Sequence, residues 1–297
     1  MQFTNDGLTF DVREYGADGP ETVALLHGFP EDAQSWDGVA SRLATEGYRV
    51  LVPTQRGYSP TARPRRRRDY QMSAVASDVE ALLDAAGVDR VHLVGHDWGG
   101  AVAWAVAAAR PERLRTICSV STPHPQALAR SMVTSSQGLK SAYFVFFQLP
   151  YLPEALIRAA GVRRGTRALV RGGVDEATAR RYAEALREPG AATGALNWYR
   201  GLPFDLLAQR RRPTGGGSGS TPGREERSAA WKRLPTLYVW GTRDAYLGRK
   251  AAELTADYVP GPYTFAVMEG ASHWIPENHP AALTQVLLTH MRAAPAS

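Results

Sequence analysis

One aspartate stands at a point where an apolar stretch gives way to glycines and then to small residues. Val91–Val94 precedes the sequence Gly-His-Asp-Trp-Gly-Gly over 95–100, and an alanine-rich stretch follows up to Ala109. Glycines two residues before and two residues after a central residue permit a sharp strand-to-helix turn that lifts the central side chain above a sheet. The helix start offers free N–H groups and a positive potential to an anion. The pattern predicts a nucleophile elbow carrying Asp97, although an aspartate that merely caps a helix would also fit it.

An acid and a base follow in the order that a catalytic triad requires. Asp244 closes the sequence Trp-Gly-Thr-Arg-Asp over 240–244, and His273 lies in Gly-Ala-Ser-His-Trp over 270–274. Each comes just past a short apolar run, at the end of a strand where open α/β sheets place their sites. Either residue alone fits an ordinary turn or surface position. The order nucleophile, acid, base predicts that Asp97, Asp244 and His273 act together.

A loop near the start of the chain could hold a developing negative charge. The sequence His-Gly-Phe-Pro over 27–30 follows the apolar run Val23–Leu26. We expect the backbone N–H groups of Phe29 and of Trp98, the residue after the nucleophile, to form an oxyanion hole. A plain glycine-proline turn is the alternative for this loop.

A carboxylate nucleophile favours attack at saturated carbon. Attack on an acyl carbon would give a reactive anhydride, whereas displacement at a saturated carbon gives an alkyl ester. Water activated by His273 would then cleave that ester at the carbonyl carbon of Asp97. Alkyl halides and epoxides both suit such a site. A halide leaves as a stable anion, whereas an epoxide opens to an alkoxide that needs an acid such as tyrosine. The chain has 12 tyrosines, so this chemistry leaves the acid open.

The elements that position these residues alternate between short apolar runs and amphipathic stretches. Leu8–Tyr15 alternates in polarity and predicts an antiparallel strand with Phe10 and Val12 on its buried face. Nearly continuous apolar runs are typical of parallel strands that are buried on both faces. These runs lie at 23–26, 50–52, 91–94, 117–120, 237–240 and 265–267. Helical spacing links Trp36 to Leu43 and Val75 to Ala86, and it recurs after Pro280. The alternation predicts an α/β fold with a mostly parallel central sheet flanked by helices.

The alternation breaks off between residues 122 and 231, a stretch that is rich in helical patterns. We expect a helical lid (cap) over 122–231, inserted into a core formed by 1–121 and 232–297. Within the lid, the composition of 214–223 predicts a flexible glycine-rich segment.

Composition and charge exclude several classes of protein. The chain has 297 residues, with 35 Lys and Arg against 29 Asp and Glu, and a formal charge of +6. The excess lies partly in the arginine runs 65–68 and 210–212, which we interpret as solvated loops because no aromatic residues interleave with them for nucleic-acid stacking.

The single cysteine, Cys118, excludes an intramolecular disulfide and any zinc site needing more than one thiolate, and its apolar surroundings predict a buried, inert thiol. We expect a cytoplasmic protein without a membrane span or signal segment.

These motifs resemble those of the α/β-hydrolase-fold epoxide hydrolases, over nearly the whole chain. The matching stretches are 27–30, 95–100, 240–244 and 270–274. The Asp-Trp elbow is shared with haloalkane dehalogenases, so the lid is more specific. Tyr-Phe-Val-Phe-Phe-Gln over 143–148 and Asn-Trp-Tyr-Arg over 197–200 are similar to the two segments that supply the lid tyrosines of the family. The resemblance implies that Tyr143 and Tyr199 hold and protonate the epoxide oxygen, with Tyr151 a competitor for the first position.

The resemblance implies hydrolysis of a small apolar epoxide by water to a vicinal diol, in a monomer or homodimer and with no metal or organic cofactor. Phe29 and Trp98 would also border the substrate. Gln55 stands in Thr-Gln-Arg-Gly-Tyr over 54–58 where relatives usually have another residue, and we expect it to affect loop packing rather than chemistry. The runner-up is a haloalkane dehalogenase with Trp98 as a halide donor, although Phe29 lacks a side-chain donor. A degenerate hydrolase that senses a ligand is the non-enzymatic alternative, and nucleic-acid binding by the arginine runs is the least favoured.

Overall fold

A single twisted sheet forms the centre of the molecule. The computed structural model describes residues 1–211 and 222–294. The sheet has eight strands in the order β1-β2-β4-β3-β5-β6-β7-β8. The strands are β1 Gln2–Asn5, β2 Leu8–Tyr15, β3 Thr22–Leu26, β4 Arg49–Pro53, β5 Val91–His96, β6 Leu114–Val120, β7 Thr236–Gly241 and β8 Tyr263–Met268. β2 pairs antiparallel with both β1 and β4, and the strands from β4 to β8 pair in parallel.

Helices connect the strands and cover both faces of the sheet. They are α1 Asp37–Thr45, α2 Met72–Ala85, α3 Trp98–Ala109, α4 Pro125–Thr134, α5 Gln137–Lys140, α6 Tyr143–Phe147, α7 Leu152–Arg171, α8 Glu176–Ala185, α9 Ala191–Arg211, α10 Pro222–Arg233, α11 Arg249–Leu254, α12 Ile275–Asn278 and α13 Pro280–Arg292. Short 3-10 helices span Ala33–Trp36, Arg67–Tyr70, Pro111–Arg113 and Thr255–Tyr258. Parallel neighbours such as β3 and β5 need such crossover connections, because a tight hairpin joins only antiparallel strands.

The hydrophobic core lies in two layers, one on each face of the sheet. On one face, Leu82 of α2 and Val102 of α3 belong to the same buried cluster as Leu93 of β5. On the other face, Leu43 of α1 and Leu287 of α13 belong to a buried cluster that also contains β3, β4 and β5 residues. Successive residues of β3, β5 and β7 are buried throughout, because alternate side chains enter alternate layers. This double burial explains why β3, β5 and β7 are recognisable as continuous apolar runs, whereas the run at 265–267 belongs to β8, in which no residue is fully buried.

The fold class predicted from the sequence is confirmed, including the antiparallel strand at Leu8–Tyr15. β1 was not predicted, because four residues with one buried side chain give too short a pattern. Its Phe3 stacks on Phe10 of β2 at a ring-centroid distance of 4.6 Å. Cys118 is buried in β6, and burial raises the pKa of its thiol, which fits the predicted inert state.

The described residues between β6 and β7 form helices α4 to α10. The predicted lid covers this interval, and its exact division from the core remains a prediction. Most of the predicted glycine-rich segment lies outside the described residues, and its last two positions, 222 and 223, belong to α10 rather than to a linker. Within the described part of the chain, no helix has both the length and the apolar character needed to cross a bilayer.

The two arginine runs differ in how far the structure describes them. Arg65, Arg66 and Arg68 are exposed, and Arg67 is partly exposed, as expected for a solvated loop. The side chains of the second run, over 210–212, lie outside the described residues.

Candidate active site

Asp97 lies at the turn between β5 and α3, in a conformation that is rare for a residue with a side chain. Its backbone has φ 50° and ψ −119°. A positive φ at a non-glycine residue is strained, and such strain persists where the surrounding structure enforces it. The flanking glycines make the turn possible: a Cβ at Gly95 would meet the backbone of Gly99, and a Cβ at Gly99 would meet the carbonyl of Leu26. The structure therefore contains the sharp strand-to-helix turn that the glycine spacing predicted.

The structure brings the three residues of the predicted triad together. Nε2 of His273 lies 3.5 Å from Oδ2 of Asp97, and its Nδ1 lies 2.8 Å from Oδ2 of Asp244. The other oxygen of Asp244 accepts hydrogen bonds from the backbone N–H groups of Tyr246 and Leu247, both at 2.8 Å. These bonds fix the carboxylate, which in turn orients the imidazole. The side chain of Asp244 is fully buried, whereas that of Asp97 is 16% exposed.

The backbone N–H of Phe29 donates to Oδ1 of Asp97 at 2.8 Å. Phe29 lies in the loop that follows β3, next to Pro30, and the bond between them is cis. The two oxygens of Asp97 are therefore in different environments: Oδ1 faces the Phe29 N–H, and Oδ2 faces the imidazole of His273. Trp98 begins α3, and its part in an oxyanion hole remains a prediction.

The charges in the site favour an aspartate anion beside an imidazolium. Burial alone would raise the pKa of Asp97, but His273 and the Phe29 N–H outweigh it, and the net pKa lies below the ordinary value. Burial would lower the pKa of His273, but the carboxylates of Asp244 and Asp97 raise it well above its ordinary value. Both shifts favour the charged pair of an Asp97 carboxylate and a His273 imidazolium.

Tyr143 and Tyr199 come together over Asp97 from two different helices. Tyr143 begins α6 and Tyr199 lies on α9, and their ring centroids are 5.8 Å apart. The ring of Tyr199 also packs edge-on against Phe29 at 5.4 Å and against Trp98 at 4.9 Å. Burial, with the charge of Asp97 adding to it, raises the pKa of both phenols. Both hydroxyls therefore stay protonated at neutral pH and can donate.

Tyr151, the competitor for the position of Tyr143, lies exposed on the surface. Its side chain is 83% exposed, and it precedes α7 with φ 63°. The structure therefore pairs Tyr143, and not Tyr151, with Tyr199.

A buried guanidinium fixes the segments that carry the two tyrosines. Arg200, which follows Tyr199, binds both carboxylate oxygens of Glu154 at 2.5 and 2.9 Å. It also donates to the backbone oxygens of Phe147 and Leu149 at 2.8 and 2.7 Å. One side chain thus joins α9, α7 and the end of α6. This pair was not predicted, because Arg200 ends the motif over 197–200 but Glu154 lies 46 residues away, outside every motif.

Gln55 packs the loop after β4 against the loop that contains Phe29, as predicted. Its backbone N–H donates to Nε2 of His27 at 3.1 Å, and its side-chain amide donates to the His27 carbonyl oxygen. Nε2 of His27 must therefore be unprotonated, and Nδ1 lies 3.1 Å from the carbonyl oxygen of Gly28. Burial lowers the pKa of His27, which fits a neutral ring.

Three residues near His273 were missed by sequence reasoning. Glu31 and His96 form a buried ion pair, with Oε1 and Nδ1 2.7 Å apart. His96 lies inside the elbow motif, directly before Asp97, and Glu31 directly follows the motif over 27–30, so adjacency to the motifs was the only available signal. Tyr246 packs its ring edge-on against His273 at 5.0 Å, and no motif pointed to it.

Comparisons with known proteins agree with this architecture. The chain matches the family described as alpha/beta hydrolase fold over residues 21–280. It is 33% identical to the AB hydrolase superfamily protein YfhM of Bacillus subtilis, over 98% of this chain and 97% of that protein. It is 30% identical to epoxide hydrolase A of Mycobacterium tuberculosis, over 95% of this chain and 94% of the relative. The solved structure of epoxide hydrolase A from Mycobacterium thermoresistibile superposes with a TM-score of 0.80, at 23% identity and over 100% of this chain and 99% of that one, which concerns the fold alone.

The chain therefore belongs to the α/β-hydrolase family. Within that family, its relatives place it in the group of the epoxide hydrolases, as the motifs had indicated.

Proposed function

We propose that the protein hydrolyses epoxides to vicinal diols through an alkyl ester on Asp97. The observation that carries this proposal is that the two carboxylate oxygens of Asp97 have different neighbours. Oδ1 is held by the Phe29 N–H at 2.8 Å, whereas Oδ2 has only the longer contact of 3.5 Å to the imidazole of His273 and is the attacking atom in this proposal. The epoxide hydrolases among the relatives support the same reaction class.

In the first step, Oδ2 of Asp97 attacks one epoxide carbon as the ring carbon–oxygen bond breaks. The electron pair of that bond stays on the ring oxygen, which takes a proton from Tyr143 or Tyr199. Because both phenols are protonated and lie over Asp97, they can act as this acid. A halide leaving group would need no such proton, so the tyrosine pair favours an epoxide over an alkyl halide.

Ester formation itself prepares the base for the second step. The pKa of His273 is raised in part by the charge of Asp97, and the ester carries no charge. The imidazolium can then return a proton, through water, to the tyrosinate that ring opening left behind. Neutral His273, still held by Asp244, becomes able to accept a proton from water.

In the second step, His273 takes a proton from water, and the oxygen of that water adds to the carbonyl carbon of Asp97. The negative charge develops on Oδ1, where the Phe29 N–H already donates and the Trp98 N–H is expected to join it. The tetrahedral intermediate then expels the diol oxygen, which takes the proton from His273. The Asp97 carboxyl finally passes its proton to His273, which restores the resting ion pair.

Turnover of styrene oxide and of an aliphatic epoxide tests this function directly. The wild-type protein is expected to form diol from at least one of them, whereas Asp97→Asn should form none. Release of chloride or bromide from haloalkanes without epoxide turnover would instead favour the dehalogenase. Binding of an epoxide without any turnover would favour the ligand sensor.

A further inference from the structure

A buried ion pair contacts the loop that carries the base. Nδ1 of His96 lies 2.7 Å from Oε1 of Glu31, and neither side chain has exposed surface. Nε2 of His96 lies 2.8 Å from the backbone oxygen of His273. The backbone acceptor at Nε2 and the nearby carboxylate at Nδ1 favour a ring that is protonated on both nitrogens. Burial would lower the pKa of His96, but the Glu31 carboxylate outweighs it and the net pKa is raised.

Glu277 lies beside this pair, on α12, shortly after the base in sequence. Its Oε1 accepts a hydrogen bond from the hydroxyl of Tyr182 at 2.7 Å. Its Oε2 is buried and has no hydrogen-bond partner among the described residues. Burial, with the charge of Glu31 adding to it and that of His96 opposing it, raises the pKa of Glu277 to about 7.

Tyr182 belongs to α8, one of the helices between β6 and β7. Its buried ring lies 6.2 Å from the ring of Trp274, the residue that follows His273. The neighbouring Arg181 pairs with Asp32 at 3.0 Å, next to Glu31. Two successive residues of α8 therefore contact the two core loops that meet at the His96–Glu31 pair.

We propose that Tyr182 and Glu277 are positioning residues, whose hydrogen bond holds α8 against the loop of His273 and thereby supports ester hydrolysis. This inference rests on the proposed function, in which His273 acts as a base only in the second step. Asp97 is positioned for the first step by its own turn and by the Phe29 N–H. Loss of the contact should therefore slow hydrolysis of the ester and leave its formation unchanged. A general loss of structure would slow both steps.

The groups that face Glu277 come from three elements: Glu31 from the loop after β3, His96 from β5 and Tyr182 from α8. The amide of Glu277→Gln keeps an acceptor for the Tyr182 hydroxyl but cannot ionise. The ester-hydrolysis rate of the wild-type protein is expected to change as Glu277 ionises, near pH 7. Glu277→Gln should lose that inflection and retain the one due to His273.

Single-turnover experiments with styrene oxide and excess protein can separate the two steps. Intact-protein mass measures the ester, and diol release measures its hydrolysis. For Tyr182→Phe we expect an unchanged rate of ester formation and roughly tenfold slower ester hydrolysis, because a slight misplacement of a catalytic group slows the step that it serves. Tyr263→Phe is the matched control, because the buried Tyr263 hydroxyl has no hydrogen-bond partner among the described residues. It should alter neither step.

Three outcomes would overturn the inference: equal slowing of both steps, unchanged ester hydrolysis in Tyr182→Phe, or the same pH profile of ester hydrolysis in Glu277→Gln and in the wild-type protein. If Tyr182→Phe fails to fold, the pH profile of Glu277→Gln decides alone. Absence of an ester in the wild-type protein would instead contradict the proposed function, so the two failures are distinguishable.

Discussion

The backbone N–H of Phe29 donates to Oδ1 of Asp97 at 2.8 Å. In the proposed mechanism, the hole that other hydrolases of this fold offer to a substrate oxygen holds an oxygen of the nucleophile itself. The contact, together with His273, lowers the pKa of Asp97. We expect Oδ2 to attack the epoxide and charge to develop on Oδ1 when the ester is hydrolysed.

Replacement of the base should trap the ester. His273→Gln removes the group that activates water but leaves Asp97 on its elbow, so ester formation should continue while turnover falls by at least about a thousandfold. Intact-protein mass after mixing with epoxide should show an adduct of the substrate's mass, located in the peptide that contains Asp97. A variant that forms no adduct but still folds would argue against Asp97 as the nucleophile.

Removal of the phenolic hydroxyls of Tyr143 and Tyr199 should slow ester formation rather than ester hydrolysis. Tyr143→Phe and Tyr199→Phe are each expected to slow ester formation by about 10- to 100-fold, and the double variant should lose more, because the alkoxide then lacks an acid. Tyr151→Phe serves as the control, since Tyr151 is 83% exposed. Single-turnover rates measure the effect. Equal activity of the double variant and the wild type would exclude the tyrosines as the acid.

The two steps should differ in pH dependence. The pKa of Asp97 is lowered and those of Tyr143 and Tyr199 are raised, so both reactive forms persist between roughly pH 5 and pH 8 and ester formation should vary little there. His273 must be neutral to accept a proton, so ester hydrolysis should slow as pH falls. Rapid-quench measurement of both rates across this range provides the check. Ester formation that declines below pH 6 would contradict the lowered pKa of Asp97.

The Arg200–Glu154 pair should contribute strongly to stability. Arg200 is 3% exposed and Glu154 7% exposed, and removal of one partner leaves a buried charge unpaired. Arg200→Met is therefore expected to lower the free energy of unfolding by about 3–5 kcal/mol. Arg180→Ala, which breaks an exposed pair with Glu184, should change it little. Urea denaturation compares the two variants, and similar midpoints for both would show that the buried pair is unimportant.

Much of the site could be predicted because its residues follow strands with a clear apolar pattern. Asp97 directly follows the buried strand β5, and Asp244 and His273 come within a few residues of the ends of β7 and β8. Parallel strands bring these carboxyl ends to one edge of the sheet. The glycine spacing around Asp97 was a further signal, because the sharp turn leaves no room for side chains at the flanking positions. The fold class followed from the same strands.

The remaining features depend on contacts between distant segments. Tyr143 and Tyr151 were alternatives, because only the start of α6 and the positive φ of Tyr151 decide which ring faces Tyr199. The pair of Arg200 and Glu154 is set by packing of α7 against α9, which no local pattern reveals. Tertiary contacts of this kind leave no periodic signal.

The most direct test of the ester route is a single turnover of an epoxide in water enriched in heavy oxygen, with the protein in excess. The account predicts that heavy oxygen enters the carboxylate of Asp97, while the first diol receives its new oxygen, unlabelled, from Asp97. Mass spectrometry of the diol and of the peptide that contains Asp97 measures both. Heavy oxygen in the diol with an unlabelled Asp97 would contradict the account, because water would then have attacked the epoxide directly.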